Sequence, residues 1–451
     1  MKKKIDVILL IILVSYFMTL LDNSIVFTGS LKIAEDLHLS EVALTWVSNA
    51  YTLTYAGFLL LGGKLGDNFG RKRIYQIGLI IFALGSLLTG LSTNADLIIG
   101  ARAIQGIGSA ILAPTTLALL MDNYQGKARI KAIGAYGTTA GIGASLGLVI
   151  GGLFASLLTW RDGFYLNVPI SILLFVLSVF YLKESKANKN DEKLDIVGAF
   201  LSVLSLSFLV FALVGHFYSF AFALGALILL VGFVIYEGKI KSPMMPLHLF
   251  NDRGRVGAYL VLFSFFGAML TMWYLVPQIL QLELGFTPLQ AGLGFFPLTL
   301  VNFVFALFVA PLTHKYGNAR LLLAGLLITA LGLLYLSSFT KSEGYWLGIG
   351  LPMLILGLGQ GLCFSPMTVA GIERVNANEA GIGSGLVNMI RTTGGALVMS
   401  FVISQTQRHA QVGQIMHFGL AIFLTFACLI FASMITLIFI IPKRDHYAFR
   451  A

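Results

Sequence analysis

Of the 451 residues, 57% are hydrophobic and only 11% are charged, with a mean hydropathy of +0.87; so few charges cannot cover that much apolar surface in water, which excludes a soluble globular protein. The formal net charge of +10 would point to nucleic acid in a soluble chain. Here most Lys and Arg fall in the two terminal segments and in alternate loops, with Lys32, Arg161, Lys341 and Arg408 on the other side and Arg102 and Arg391 inside apolar runs, so the basicity encodes topology, predicts both termini in the cytoplasm and calls for no nucleic-acid partner.

Met1-Lys2-Lys3-Lys4 followed by an apolar run imitates a signal peptide, but no small-residue cleavage site follows, and an uncleaved first helix is expected. Hydropathy predicts fourteen membrane helices, over 5–27, 45–62, 74–92, 97–120, 132–157, 165–182, 196–215, 219–236, 256–280, 289–312, 320–339, 346–370, 381–404 and 418–441. The expected class is therefore an all-α polytopic protein of the cell membrane. The longest cytoplasmic segments are 183–195 and 237–255, and between them lies an apolar hairpin with His216-Phe217-Tyr218 at its tip. Setting that hairpin aside leaves six spans before it and six after. The expected domains are an N-terminal six-helix bundle over 1–183, linkers and inserted hairpin over 184–250, and a C-terminal six-helix bundle over 251–451. Cys363 and Cys428 both lie in apolar runs, which argues against a disulfide or a metal site.

In the first span, Asp22 lies five residues from the predicted outer end, roughly 8 Å deep at helical rise. An ionised carboxylate is costly there, which makes Asp22 the foremost candidate for a group that takes and releases a proton. The stretch Gly63-Lys64-Leu65-Gly66-Asp67-Asn68-Phe69-Gly70-Arg71-Lys72-Arg73 is too charged and glycine-rich to continue either neighbouring span. It reads as a tight cytoplasmic loop in which Asp67 pairs with Arg71. Arg102, in span 4, has a permanently charged guanidinium at a depth similar to that of Asp22 and is its natural partner. Span 5 carries Gly134, Gly137, Gly141, Gly143, Gly147, Gly151 and Gly152, of which Gly143, Gly147 and Gly151 make one flat stripe for close helix approach.

The residue order of Gly63–Arg73 resembles the G-x-L-A-D-R-x-G-R-K-R signature of the major facilitator superfamily, with Asn68 where arginine is common. Further segments are similar to those of its 14-span drug:proton antiporter branch, the QacA-type multidrug exporters. Leu21–Val26 looks like the family's L-D-x-T-I-V, Arg102–Ala110 like R-x-x-Q-G-x-G-x-A, and Trp160–Pro169 like W-R-W-x-F-x-x-N-x-P. The span 5 glycines resemble the antiporter signature G-x-x-x-G-P-x-x-G-G, although Leu148 replaces its proline. The resemblance implies two six-helix bundles plus a central two-helix insertion, proton coupling through Asp22 and Arg102, a cytoplasmic gate at Asp67 and Arg71, and export. Trp160–Pro169 itself is read as an interfacial aromatic anchor. Residues 310–320 repeat the Gly63–Arg73 loop without its acid, His314 and Lys315 standing near that place.

Arg391 lies near the middle of span 13, and no central acid is present in the second half; Glu283, Glu373 and Glu379 fall at span ends or in loops. It is open to an anionic substrate group, a backbone carbonyl, or Asp22. Adaptable aromatic, sulfur and amide groups that suit a promiscuous cavity are Asn49, Tyr51, Tyr55, Gln105, Tyr136, Met269, Trp273, Tyr274, Gln278, Asn302, Phe303, Gln360, Phe364 and Asn388. No phosphate-binding loop, catalytic triad or metal-ligand spacing is present. The expected activity is therefore not enzymatic. The resemblance implies export of amphiphilic cationic or neutral drugs against protons, by a monomer with no cofactor other than the proton gradient. A narrow-specificity exporter of tetracycline or a metabolite, and a non-transporting membrane receptor, are the alternatives.

Overall fold

The computed structural model describes residues 6–184, 194–214, 219–240, 243–373, 380–408 and 414–441. The hairpin tip His216–Tyr218, most of the 183–195 linker, and Glu379 lie outside these. All regular structure among the described residues is helical. In chain order it comprises α1 (Val7–Asp36), α2 (Glu41–Phe69), α3 (Arg71–Gly90), α4 (Ala95–Asn123), α5 (Gly126–Leu157), α6 (Trp160–Tyr181), α7 (Ile196–Val214) and α8 (Ser219–Glu237). There follow α9 (Arg253–Leu282), α10 (Pro288–Leu293), α11 (Phe296–Ala306), α12 (Val309–Tyr316), α13 (Asn318–Ser337), α14 (Leu351–Ile372), α15 (Ala380–Arg408) and α16 (Gln414–Ile435).

Short polar side chains start these helices by accepting from otherwise orphaned N–H groups. Asp6 accepts from Leu9 N–H at 3.2 Å, Ser40 from Ala43 at 3.2 Å and Asn94 from Leu97 at 2.9 Å. Thr159 and Asp162 cap α6 reciprocally. Twelve helical stretches among the described residues are long and apolar enough to cross a bilayer. Two further helices have spanning length: α2, with 29 residues, and α5, with 32. Ser48, Asn49, Thr52 and Thr54 dilute the apolar character of α2, and in α5 only Leu146–Leu157 forms an apolar stretch, too short to span.

Three boundaries differ from the sequence expectation. First, α1 continues to Asp36 rather than ending near 27, since Thr28, Gly29 and Ser30 are packed inside the fold. Asp22 therefore lies at its midpoint, fourteen residues from Asp36, or about 21 Å. Second, the Gly63–Arg73 stretch is not a loop: α2 continues to Phe69 and only Gly70 breaks the helix, at φ 97°. A side chain at that φ is strained, and a Cβ would also strike Glu184. Gly317, at φ 83°, makes the corresponding break between α12 and α13, so the turn repeats where the sequence repeats. Third, the apolar run 289–312 is divided into α10, α11 and α12 by interruptions before Phe296 and Val309.

The helices cluster into two compact units. One comprises residues through Val203 with Ile240–Met244 and Thr287–Gly292; the other comprises Leu204–Lys239, Met245–Phe286 and Leu293 onward. In the first unit α4 packs on α2 and α3, and α1 on α5 and α6. The head of α7 lies on α2, with Phe200 edge-on to Phe58 at 5.4 Å. In the second, α13 packs on α14 and α16, and α9 on α15 and α16.

The glycine stripe does what its spacing predicts. Side chains added at Gly143, Gly147 and Gly151 of α5 would meet Leu20, Ser24 and Thr28 of α1, the same i, i+4, i+8 ladder on the helix that holds Asp22. A Cβ at Gly151 lies 2.9 Å from the Ile25 Cα, where backbone must give way. Gly151→Ala is expected to lower stability by about 1–3 kcal/mol. Gly100→Ala, where nothing lies within 4 Å, is expected to leave the thermal midpoint unchanged or slightly raised. Equal midpoints for the two variants would refute the close-contact role of the stripe.

Candidate functional site

Small residues on α4 let three helices converge on one point. Gly106 lies under Tyr51 and Thr54 of α2, Gly108 abuts the backbone of Phe82 on α3, and Gly85 of α3 abuts the backbone of Gln105. Thr54 Oγ1 donates to Ala103 O at 3.0 Å, fastening α2 to α4. The polar groups of α1, α2, α3, α4 and α6 thereby meet within the first unit.

At their centre Asp22 and Arg102 are both 0% exposed. Arg102 Nη1 donates to Asp22 Oδ2 at 2.5 Å and to Gln105 Oε1 at 2.7 Å. Asp22 Oδ1 accepts from Gln105 Nε2 at 2.6 Å and from Asn167 Nδ2 at 3.1 Å. Both amides also donate to Ser86 Oγ, at 3.1 and 3.0 Å, and Ser86 in turn donates to Phe164 O at 2.9 Å. Arg102 Nε reaches Val47 O at 3.3 Å, and its guanidinium lies 4.4 Å from the Tyr51 ring centroid. Tyr51 is held in turn by its hydroxyl on Ser109 at 2.8 Å. A buried ion pair survives only when the remaining lone pairs and protons are met in this way. Within the cage two atoms are left over: among the described residues Arg102 Nη2 and Asn167 Oδ1 are buried without a hydrogen-bond partner.

This arrangement has two chemically distinct states. With Asp22 ionised, three side chains converge on one carboxylate and lock α1, α4 and α6 together. A proton on Asp22 cancels the charge that holds Arg102 and turns one carboxyl oxygen from acceptor to donor. Among the described residues no group of His, Cys, Asp and Glu is arranged to hold a metal.

The structure redistributes several sequence candidates. Gln105 and Tyr51, expected on a cavity wall, are 0% and 3% exposed and belong to the ion-pair cage. Asn49 is likewise buried, in α2. Tyr55 stacks with Tyr51 at 6.1 Å, and Tyr136 of α5 stacks on Tyr16 of α1 at 4.2 Å; both keep some surface open. Trp160 is no interfacial anchor. It is 2% exposed and donates from Nε1 to Asp36 at 2.8 Å, beside Arg161, which pairs with the same carboxylate at 2.9 Å. Trp160, Phe164 and Asn167 follow at i, i+4 and i+7, one face of α6, and that spacing was the signal by which Asn167 is findable. Ser86 carried no such signal.

At the end of the unit that carries the Arg71–Arg73 run, Arg71 pairs with Asp67 at 2.9 Å as expected. It also binds Asp122 of α4 at 2.5 Å and Ala118 O at 3.2 Å, partners the local sequence does not reveal. One guanidinium thus ties the ends of α2, α3 and α4.

In the second unit Arg391 is half-buried on α15 with its guanidinium 4.8 Å from the Phe266 ring centroid. Among the described residues no carboxylate or carbonyl accepts from it. Phe266 packs on Phe364 of α14 at 5.6 Å, and buried Gln360 donates to Met269 Sδ at 3.0 Å. Trp273 and Tyr274 lie on α9, Trp273 half-buried. Asn302 is half-buried and Phe303 is 45% exposed on α11. Asn388 is bonded within its own helix to Ser384 O at 3.2 Å.

Known proteins resemble this chain in sequence and in fold. The family profile of the Major Facilitator Superfamily matches residues 12–399. The chain is 33% identical over 403 residues to the cephamycin export protein CmcT of Amycolatopsis lactamdurans, covering 87% of this chain and 83% of that one. It is 32% identical over 391 residues to the multidrug resistance protein Stp of Mycobacterium tuberculosis, covering 84% and 72%. A crystal structure of a D-xylose-proton symporter superposes with a TM-score of 0.70 over 97% of this chain and 98% of that one, at 15% identity, a likeness of fold alone.

Proposed function

The chain belongs to the Major Facilitator Superfamily, and we propose that in it the Asp22–Arg102 pair couples proton entry to the outward passage of amphiphilic drugs. It is a membrane transporter of the drug-efflux kind and not an enzyme. The observation that carries the coupling reading is the cage itself. A fully buried carboxylate bound by Arg102, Gln105 and Asn167 is costly to assemble unless both of its protonation states are used. Protonation of Asp22 loosens α1 from α4 and α6, and deprotonation restores the lock. Asp67 and Arg71, with Asp122, act as the gate at the other end of these helices.

We read fourteen spans, the twelve apolar helical stretches together with α2 and α5, whose lengths of 29 and 32 residues support crossing despite their polar content. The Lys/Arg asymmetry supports termini in the cytoplasm, and the cell membrane is the location. A monomer is the working unit in this reading. The proton gradient serves as the sole energy source, with no cofactor. The α7–α8 pair is read as an insertion between an N-terminal and a C-terminal six-helix bundle.

The test is uptake of ethidium into inverted vesicles under an imposed pH gradient. Accumulation that follows the gradient and collapses with a protonophore is expected. Accumulation indifferent to both, or a panel of amphiphilic drugs none of which is moved, would overturn the reading.

A further inference from the structure

We infer that the second unit carries a subsite for aromatic organic anions, built from Arg391 against Phe266 and Phe364 with Gln360 as a hydrogen-bond acceptor. The inference extends the drug-export reading above, on which it rests for the subsite's purpose. Arg391 lies eleven residues into the 29-residue α15, about 17 Å from its start. A guanidinium is charged at every accessible pH, and at membrane depth such a group faces protein partners or a water-filled cavity. Arg102 shows what a protein-satisfied arginine looks like in this chain: a carboxylate, an amide and a carbonyl all accept from it. Arg391 receives none of these from the described residues; its guanidinium lies over the face of Phe266 at 4.8 Å. The acids of this unit among the described residues, Glu237, Asp252, Glu283, Glu343 and Glu373, all lie at helix ends and supply no counter-charge at that depth.

A second observation comes from the neighbouring helix. Gln360 is 0% exposed, and among the described residues its Oε1 has no donor, while its amide nitrogen points at a thioether sulfur, a weak acceptor. Gln360 and Phe364 are i and i+4 on α14, and Met269 and Phe266 are i and i+3 on α9, so the unsatisfied amide and the ring under Arg391 share one cluster. Phe266, Phe364 and Arg391 each keep part of their surface open. Such a cluster offers two aromatic faces, a forked cation and a lone acceptor. A planar aromatic carboxylate carrying a donor group fits all three, its ring on the phenyls and its carboxylate bidentate on Arg391. At this subsite Arg391 disfavours a cation.

The test uses purified full-length protein and two radiolabelled probes of one shape, 6-hydroxynaphthalene-2-carboxylate and the neutral 6-hydroxynaphthalene-2-carboxamide, in an equilibrium binding assay. Wild type is expected to prefer the anion at least tenfold. Arg391→Gln is expected to erase that preference, and Arg391→Lys to retain part of it. The readout is a ratio between two ligands on one protein, so a loss of folded material does not mimic the result. Equal binding of both probes by wild type, no binding of either, or a preference that survives in Arg391→Gln each overturns the assignment. Binding is read without a gradient, so failure here is separate from failure of proton-driven export.

Discussion

Asp22→Asn is expected to reduce gradient-driven ethidium transport to the level of vesicles lacking the protein. The amide cannot take up and release a proton, so the pair has one state where two are needed. The substitution also disturbs the cage. Arg102, Gln105 and Asn167 all donate toward the two carboxylate oxygens, and an asparagine offers one acceptor oxygen and one competing donor. Arg102 then keeps a buried charge without its counter-ion, a cost of about 3–5 kcal/mol where one partner of a buried pair is removed. Lost transport alone would therefore not separate coupling from misfolding. Asp22→Glu provides the separation, since it retains the charge but forces one extra methylene into a closed site, at about 1–3 kcal/mol. It is expected to keep slow, gradient-dependent transport. Transport surviving intact in Asp22→Asn would remove Asp22 from the coupling step and turn attention to Glu283.

Much of this site was legible before any coordinates. Charges are rare in apolar runs, so Asp22 and Arg102 stand out by position, and their types allow one arrangement that both can afford. The depth of Asp22 was misjudged for a physical reason: α1 ends at the point where packing ends, not where hydropathy falls, and Thr28 through Ser30 are buried against neighbours. The Gly63–Arg73 stretch misled in the same direction. Charged and glycine-rich residues read as loop, yet a single residue at positive φ suffices for the turn, and Arg71 pairing back to Asp67 supports helix up to it. What stayed hidden was the cage. Gln105 and Tyr51 are the residue types that also line promiscuous cavities, and one-dimensional reading has no means of distinguishing a satisfied interior amide from an exposed one. Asn167 was within reach through its i+7 spacing from Trp160, whereas Asp122 depends on the end of α4 meeting the start of α3, a tertiary fact.

Arg102→Gln is expected to be the more damaging half of a double-mutant cycle whose outcome tests whether the pair is one unit. Removing the guanidinium leaves Asp22 as a buried carboxylate with only the Gln105 and Asn167 amides, and it removes the Val47 and Tyr51 contacts as well. A loss of about 3–5 kcal/mol follows for a stranded charge. Adding Asp22→Asn to Arg102→Gln takes away the second charge together with its desolvation cost, and the four amides at positions 22, 102, 105 and 167 can then satisfy one another. The double variant is expected to regain about 2–4 kcal/mol over Arg102→Gln, read as a rise in thermal midpoint of the purified protein, while transport stays at background. Additive losses would mean that the two charges act independently and that the short contact between them carries no coupling. Recovery of stability without recovery of transport would locate the role of the pair in the cycle and not in the fold, because the uncharged cage holds α1, α4 and α6 together as well as the charged one does and lacks only the second state.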